Sequence, residues 1–178
     1  MTGLDLFTRG DAVISDDGLY RYLLTRVWDE ERGSVLYVML NPSTADACDD
    51  DATLRRCRAF AQGWGYGEIR VVNLFAYRAT KPKELKVVAD PVGPKNDHML
   101  ASEFNRAWSL RMPVVCAWGA APVVRLNDRA DRVLAMMQAA RLDPMCIVET
   151  KTGYPMHPLY IRSTEQLRKY ERRKGDDV

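Results

Sequence analysis

The run Val35-Leu36-Tyr37-Val38-Met39-Leu40, stopped by Asn41-Pro42-Ser43, constrains this chain more than any other stretch. Six consecutive apolar residues leave no polar face, as in a strand covered on both sides. Pro42 lacks an amide hydrogen and disfavours a helical residue before it, so the chain must open into a loop just past the strand end. Asp49-Asp50-Asp51 then supplies N-cap candidates for a helix beginning near Ala52. A buried strand, a polar loop and a new helix N-terminus form a ligand-site arrangement common in open α/β sheets.

The neighbouring segments extend this pattern. Residues 1–18 read as irregular or turn-rich, with Asp16-Asp17-Gly18 as a turn signal. Leu19 to Trp28 reads as a strand. The short link Asp29 to Gly33 predicts that it forms an antiparallel hairpin with the Val35 strand. Leu54, Cys57, Phe60 and Ala61 share one face of a helix from Ala52 to about Gln62, which Gly63, Gly65 and Gly67 end.

Ile69 to Tyr77 is a second buried strand with one polar residue, Asn73, in its body. Arg78 to Pro94 is a long loop of the kind that more often carries function than ornament, with a helical turn at Glu84 to Val88. A helix capped at Asn96 or Asp97 runs to about Leu110, and strands follow at Pro113 to Trp118 and Met145 to Glu149. An amphipathic helix, Asp128 to Arg141, lies between those two strands, and a polar helix from Thr164 to about Lys174 closes the chain. Alternating strands and helices predict a single domain over 1–178. Its expected fold is an α/β three-layer sandwich with a mainly parallel central sheet plus an N-terminal antiparallel strand. The parallel strands would end on one rim, bringing together Asn41-Pro42-Ser43, Asn73 to Arg78, Trp118-Gly119 and Lys151 to His157.

Composition narrows the function classes only a little. With 178 residues, 47% hydrophobic, the chain is long enough to bury a core without metals or disulfides. It has no apolar run long enough for a membrane span and no signal-peptide pattern at its start, so a cytoplasmic location and no membrane partner are expected. Cys48, Cys57, Cys116 and Cys146 are scattered without a CxxC pair, so they read as buried or incidental thiols rather than a metal centre. No cofactor is expected. A net charge of +2 neither announces nor excludes a nucleic-acid binder. The chain has no Gly-rich phosphate loop, serine elbow or HExxH, which argues against kinase, α/β-hydrolase and zinc-protease chemistry.

The rim residues carry the chemistry. His157, between Pro155 and Pro158, is either a donor to developing negative charge or a histidine satisfying loop carbonyls. Asn73 has the donor and acceptor needed to read a base edge, or it bonds neighbouring backbone. Asn41 positions a water or caps its loop. Asp46, Asp49, Asp50 and Asp51 are candidates for a metal or a general base, though helix capping explains most of them. Arg78, Lys81, Lys83, Arg162 and Arg168 are candidate phosphate contacts, and Phe75 and Tyr77 candidate stacking residues, with core packing the competing role. His98 reads as an ordinary surface residue of its helix.

In this order, Asn41-Pro42, Asn73, Trp118-Gly119 and His157-Pro158 resemble the motifs of the uracil-DNA glycosylase superfamily. The Asn-Pro form is similar to its mismatch-specific branch. The strings Met39 to Asp46 (MLNPSTAD), Arg70 to Thr80 (RVVNLFAYRAT) and His157 to Tyr160 (HPLY) also resemble a family of small bacterial and phage proteins known as a domain of unknown function. The glycosylase resemblance implies that fold, with no cofactor and no metal. It implies hydrolysis of the N-glycosidic bond of a flipped pyrimidine, native or modified, in DNA. Asn41 would position the water and His157 would stabilise the departing base. Pro42, Ser43, Asn73 and Phe75 would bind that base. Arg78, Lys81 and Arg162 would contact nucleic acid, with Leu159 or Tyr160 wedging into the duplex. Two further functions stay open: the same fold acting on a free nucleoside or nucleotide or transferring a group to a base, and a non-catalytic nucleic-acid-binding module.

Overall fold

The computed structural model describes residues 9–43 and 51–172. Strand β3 (Ser34–Met39) lies near the middle of a seven-stranded sheet, and its alternation explains both apolar layers. Val35, Tyr37 and Met39 point to one face, against Leu54, Cys57 and Phe60 of helix α1 (Ala52–Gly63). Leu36 and Val38 point to the other. There they join the core of Leu100, Phe104 and Ala107 from α2 (Asn96–Leu110) and Val133 and Met137 from α3 (Arg129–Ala139). A strand covered on both faces can be apolar throughout, as its sequence is. The fold is α/β, with helices on both sides of the sheet.

The remaining strands are β1 (Arg9–Ile14), β2 (Arg21–Val27), β4 (Glu68–Asn73), β5 (Val114–Cys116), β6 (Pro144–Cys146) and β7 (Arg168–Lys169), in the order β1-β2-β4-β3-β5-β6-β7. The sheet is mixed, which corrects the expectation of a mainly parallel one. The pairings β4-β3, β3-β5 and β5-β6 are parallel, whereas β1-β2, β2-β4 and β6-β7 are antiparallel.

The predicted β2–β3 hairpin does not form. β4 inserts between the two, antiparallel to β2 and parallel to β3, in register from Ser34↔Glu68 to Met39↔Asn73. β3, apolar from Val35 to Met39, takes two parallel neighbours at the sheet centre, where both of its faces are covered. The described residues before Leu19 are also more ordered than expected, since β1 (Arg9–Ile14) pairs with β2 from Arg9↔Val27. The polar C-terminal helix is not formed within the described residues 164–172, where the chain is irregular apart from β7, which pairs β6 through Met145↔Lys169. Here a tertiary edge overrides a helical-looking charge pattern.

Helix α1 starts where capping predicts. Asp51 accepts the Leu54 amide at 2.8 Å through its side chain. The expected turn in the long loop is a short 3-10 helix at Pro82–Lys86. Among the described residues, no helix is long and apolar enough to cross a membrane.

Candidate active site

The C-terminal ends of β3 and β4 and the loops after β5 and β6 meet the start of β2 and the N-terminus of α1. Between them lies an open cavity of about 350 Å³, whose lining includes Asn41, Ser43, Asp51, Asn73, Trp118, Gly119, His157, Tyr160 and Arg21. The three residues expected to do the chemistry, Asn41, Asn73 and His157, therefore share one cavity although they come from three separate segments.

Asn41 follows β3 and is held by both of its amide hydrogens. Its Nδ2 donates to Pro42 O at 2.9 Å and to Ala79 O at 2.8 Å. Two carbonyl partners settle which end of the amide is nitrogen, and they leave Oδ1 as the acceptor available to a ligand or a water. Ser43 turns back to donate to Asp51 Oδ2 at 3.1 Å. Asp51 is thus occupied by Ser43 and by the cap of α1, as the capping interpretation has it. Asp46, Asp49, Asp50 and Cys48 lie outside the described residues.

Asn73 ends β4 and is 2% exposed, yet its carboxamide has no hydrogen-bond partner among the described residues, while its backbone oxygen is held from behind. Asn96 Nδ2 donates at 3.1 Å to both Asn73 O and Leu74 O, and Arg129 Nε donates to Leu74 O at 2.6 Å. A buried amide in this state is satisfied only by what enters the cavity.

His157 sits at the foot of a short 3-10 turn, Pro158–Tyr160. The preceding loop is tied to the sheet by Gly119 N donating to Pro155 O (2.9 Å) and Met156 N to Val148 O (2.8 Å). Gly119, at φ +77, brings its backbone so close that an added Cβ would stand 3.5 Å from His157 Cβ. Nδ1 accepts the Leu159 amide at 3.4 Å, so in the neutral ring the proton is on Nε2. Burial lowers the imidazole below its ordinary value, and Asp51 opposes that shift. The ring is therefore a neutral donor near pH 7.

Of the other expected residues, Ser43, Asp51, Tyr160 and the rim pair Trp118-Gly119 line the cavity. Tyr160 is 78% exposed with its ring 5.9 Å from His157, and Leu159 is exposed beside it. Phe75 is fully buried in the core on the α2–α3 side, so the base-stacking role is corrected: β4 has ended and the next apolar side chain turns inward. Pro42 is buried outside the cavity and contributes its carbonyl, which also accepts Ala79 N at 3.1 Å. Arg78 is turned to the turn before β2, its Nη1 donating to Gly18 O at 3.0 Å. Lys81, Lys83, Arg162 and Arg168 are exposed and do not line the cavity. Tyr77 packs edge-on against Tyr20, and His98 is exposed on α2.

Among the lining residues, Arg21 escaped the sequence reading. Arg21 is 5% exposed, and burial pushes its guanidinium down to about 10, opposed by Asp51 and aided by Arg78 and Arg26. It is still a cation at neutral pH. In the strand alternation it passes for a solvent-facing position. The signal that would have found it is topological, because an antiparallel strand begins on the rim where its parallel neighbours end. Trp118, 1% exposed with its ring edge-on to Tyr170, keeps an indole Nε1–H without a partner among the described residues. Cys57, Cys116 and Cys146 are buried free thiols, all pushed upward by burial. Among the described residues no group of three or more His, Cys, Asp or Glu side chains gathers as a metal site.

A family model described as "Protein of unknown function (DUF1643)" matches residues 21–159, most of the chain, and the chain belongs to that family. No curated protein and no solved structure matches it.

Proposed function

For this member of the DUF1643 family we propose hydrolysis of an N-glycosidic bond, with a pyrimidine base held in the cavity between Asn41, Asn73 and His157. The observation that carries the reading is the meeting of these three residues in one cavity of about 350 Å³, within the usual range for small-ligand sites. The motif resemblance to the uracil-DNA glycosylase superfamily supports the same roles.

Asn73 pairs with the edge of the base, its amide being otherwise unpartnered. Asn41 Oδ1 holds a water against the sugar. The water oxygen bonds to C1′ as the C1′–N1 bond breaks, and the bonding pair leaves with the base. His157 donates from Nε2 to a base oxygen and stabilises that anion, the larger part of the task. The proton lost by the water returns to the base through solvent, giving a free base and a C1′ hydroxyl. Tyr160 and Leu159 stand at the mouth, where an apolar wedge replaces a flipped base at an unstacking cost of a few kcal/mol.

The test is abasic-site formation on oligonucleotides containing uracil, mismatched and hypermodified pyrimidines. His157→Ala is expected to lower the rate by roughly a hundred-fold or more with the circular-dichroism spectrum unchanged. An unaltered rate, or no abasic site on any substrate despite tight DNA binding, defeats the reading, and the latter outcome favours a binding module. A second reading, a free nucleotide as substrate, is favoured by the buried Arg21. A salt titration separates the two, because DNA binding weakens steeply with salt through released counterions.

A further inference from the structure

We infer that Arg21 is an anion anchor, so that the ligand of this cavity carries an oxyanion group, a phosphate or a carboxylate. The inference deepens the pyrimidine reading above and takes the position of the cavity from it.

Arg21 differs from the other buried arginines of the molecule. Arg129, 1% exposed, donates to Leu74 O and pairs with Asp97 at 2.6 Å. Arg26, fully buried, donates to Thr25 O at 2.8 Å. Arg70 lies between Glu68 and Glu103, at 2.8 and 2.6 Å. Each has a carbonyl or carboxylate partner, as a desolvated charge requires, although Arg129 Nη1 has none among the described residues and Arg70 is only partly buried. Arg21 is nearly as buried, yet among the described residues its side chain makes no hydrogen bond and no ion pair, and its Nε is shut away from solvent without an acceptor.

The nearby carboxylate, Asp51, is taken by Ser43 and by the Leu54 amide. Arg78 and Arg26 are near enough to add to the positive field at Arg21. Elsewhere in the cavity lining, beyond β4 and β3, Trp118 Nε1–H is a second buried donor lacking an acceptor among the described residues. A planar guanidinium presents two parallel N–H groups that fit carboxylate or phosphate oxygens. The unmet need of this lining is for acceptor atoms bearing negative charge.

Two sources supply such a group: the 5′-phosphate of a free pyrimidine nucleotide, or an acidic substituent on the base itself. Calorimetric titration of the whole protein with deoxyuridine, dUMP, 5-carboxydeoxyuridine and inorganic phosphate distinguishes them. One anionic pyrimidine is expected to bind about ten-fold or more tightly than deoxyuridine, with the advantage abolished in R21Q. An advantage for dUMP assigns the anion to the phosphate, and one for the carboxylated nucleoside assigns it to the base. Phosphate binding that depends on Arg21, with no pyrimidine bound, keeps the anchor and overturns the pyrimidine reading. Equal affinity for neutral and anionic nucleosides, or an advantage that persists in R21Q, overturns the anchor and leaves the pyrimidine reading standing. Should R21Q fail to fold, the Arg21 Nε–H resonance of the wild-type protein answers instead. A shift on adding dUMP or the carboxylated nucleoside supports the anchor, and an unmoved resonance at saturation overturns it.

Discussion

Asn96 Nδ2 donates at 3.1 Å to the backbone oxygen of Asn73. The first residue of α2 thereby fixes the last residue of β4, and with it a carboxamide that faces the cavity without a partner among the described residues. The same nitrogen reaches Leu74 O at 3.1 Å, so one fully buried side chain ties the helix to the strand end twice. Asn96→Ala is expected to destabilise the fold by about 1–3 kcal/mol, as two buried carbonyls lose a donor. Urea unfolding at constant m-value measures it. A loss of ligand affinity beyond the stability change would show that Asn73 has been released, while unchanged stability would remove Asn96 from the support of the site.

His157 sets a pH dependence whose sign follows from burial. Its folded value lies below the ordinary 6.5. The unfolded chain therefore takes up the proton first, and the contribution to stability is whole above about 6.5. It is lost as pH falls from there through the lower folded value. His157→Gln is expected to flatten this part of the stability curve, read as Tm against pH between 7.5 and 5. An equally steep decline in the variant would place the titrating group elsewhere.

Gly119 occupies the left-handed region at φ +77. An alanine there is expected to cost about 1–2 kcal/mol through backbone strain alone, since the new Cβ meets His157 Cβ only at van der Waals distance. If the backbone instead relaxes out of this region, the Gly119 N to Pro155 O bond breaks. Activity would then fall more than stability. Thermal unfolding and turnover measured on the same preparation separate the two cases.

Phe75 is core rather than pocket. Phe75→Leu is expected to leave ligand affinity unchanged within two-fold while lowering stability by roughly 1 kcal/mol, and Phe75→Ala to cost about 3–5 kcal/mol by opening a cavity. Affinity that collapses in the leucine variant at full folding would restore a stacking role.

What was legible in the sequence followed from strong local signals. The apolar run at Val35, the Asp51 cap and the 3.6-residue spacing of Leu54, Cys57 and Ala61 all appear where these signals place them. Asn41, Asn73 and His157 could be gathered because each lies at or just beyond the end of a strand of the parallel set or in a loop that follows one. What was hidden depends on pairing between distant segments. Whether β2 lies beside β3 or β4 leaves no local trace, and neither does the β7 edge, whose charged residues look helical until β6 offers them a partner. Arg21 was lost for the same reason. A polar residue in alternation looks solvent-facing until the position of its strand's first residue is known, and Phe75 erred in the opposite direction, because leaving β4 turned it inward.

The insertion of β4 between β2 and β3 also sets when the cavity can exist during synthesis. Arg21 leaves the ribosome well before His157, and neither side of the cavity is complete alone. β2 waits for β4 to pair with it, and the loop bearing His157 waits for β5 and β6. Long-range closure of this kind is slow compared with local helix formation. A nascent chain released before His157 is made would carry Arg21, Asn41 and Asn73 on a partial sheet with no His157 loop beside them. The cavity is complete only once the loop bearing His157 has been made and has joined Arg21, Asn41 and Asn73.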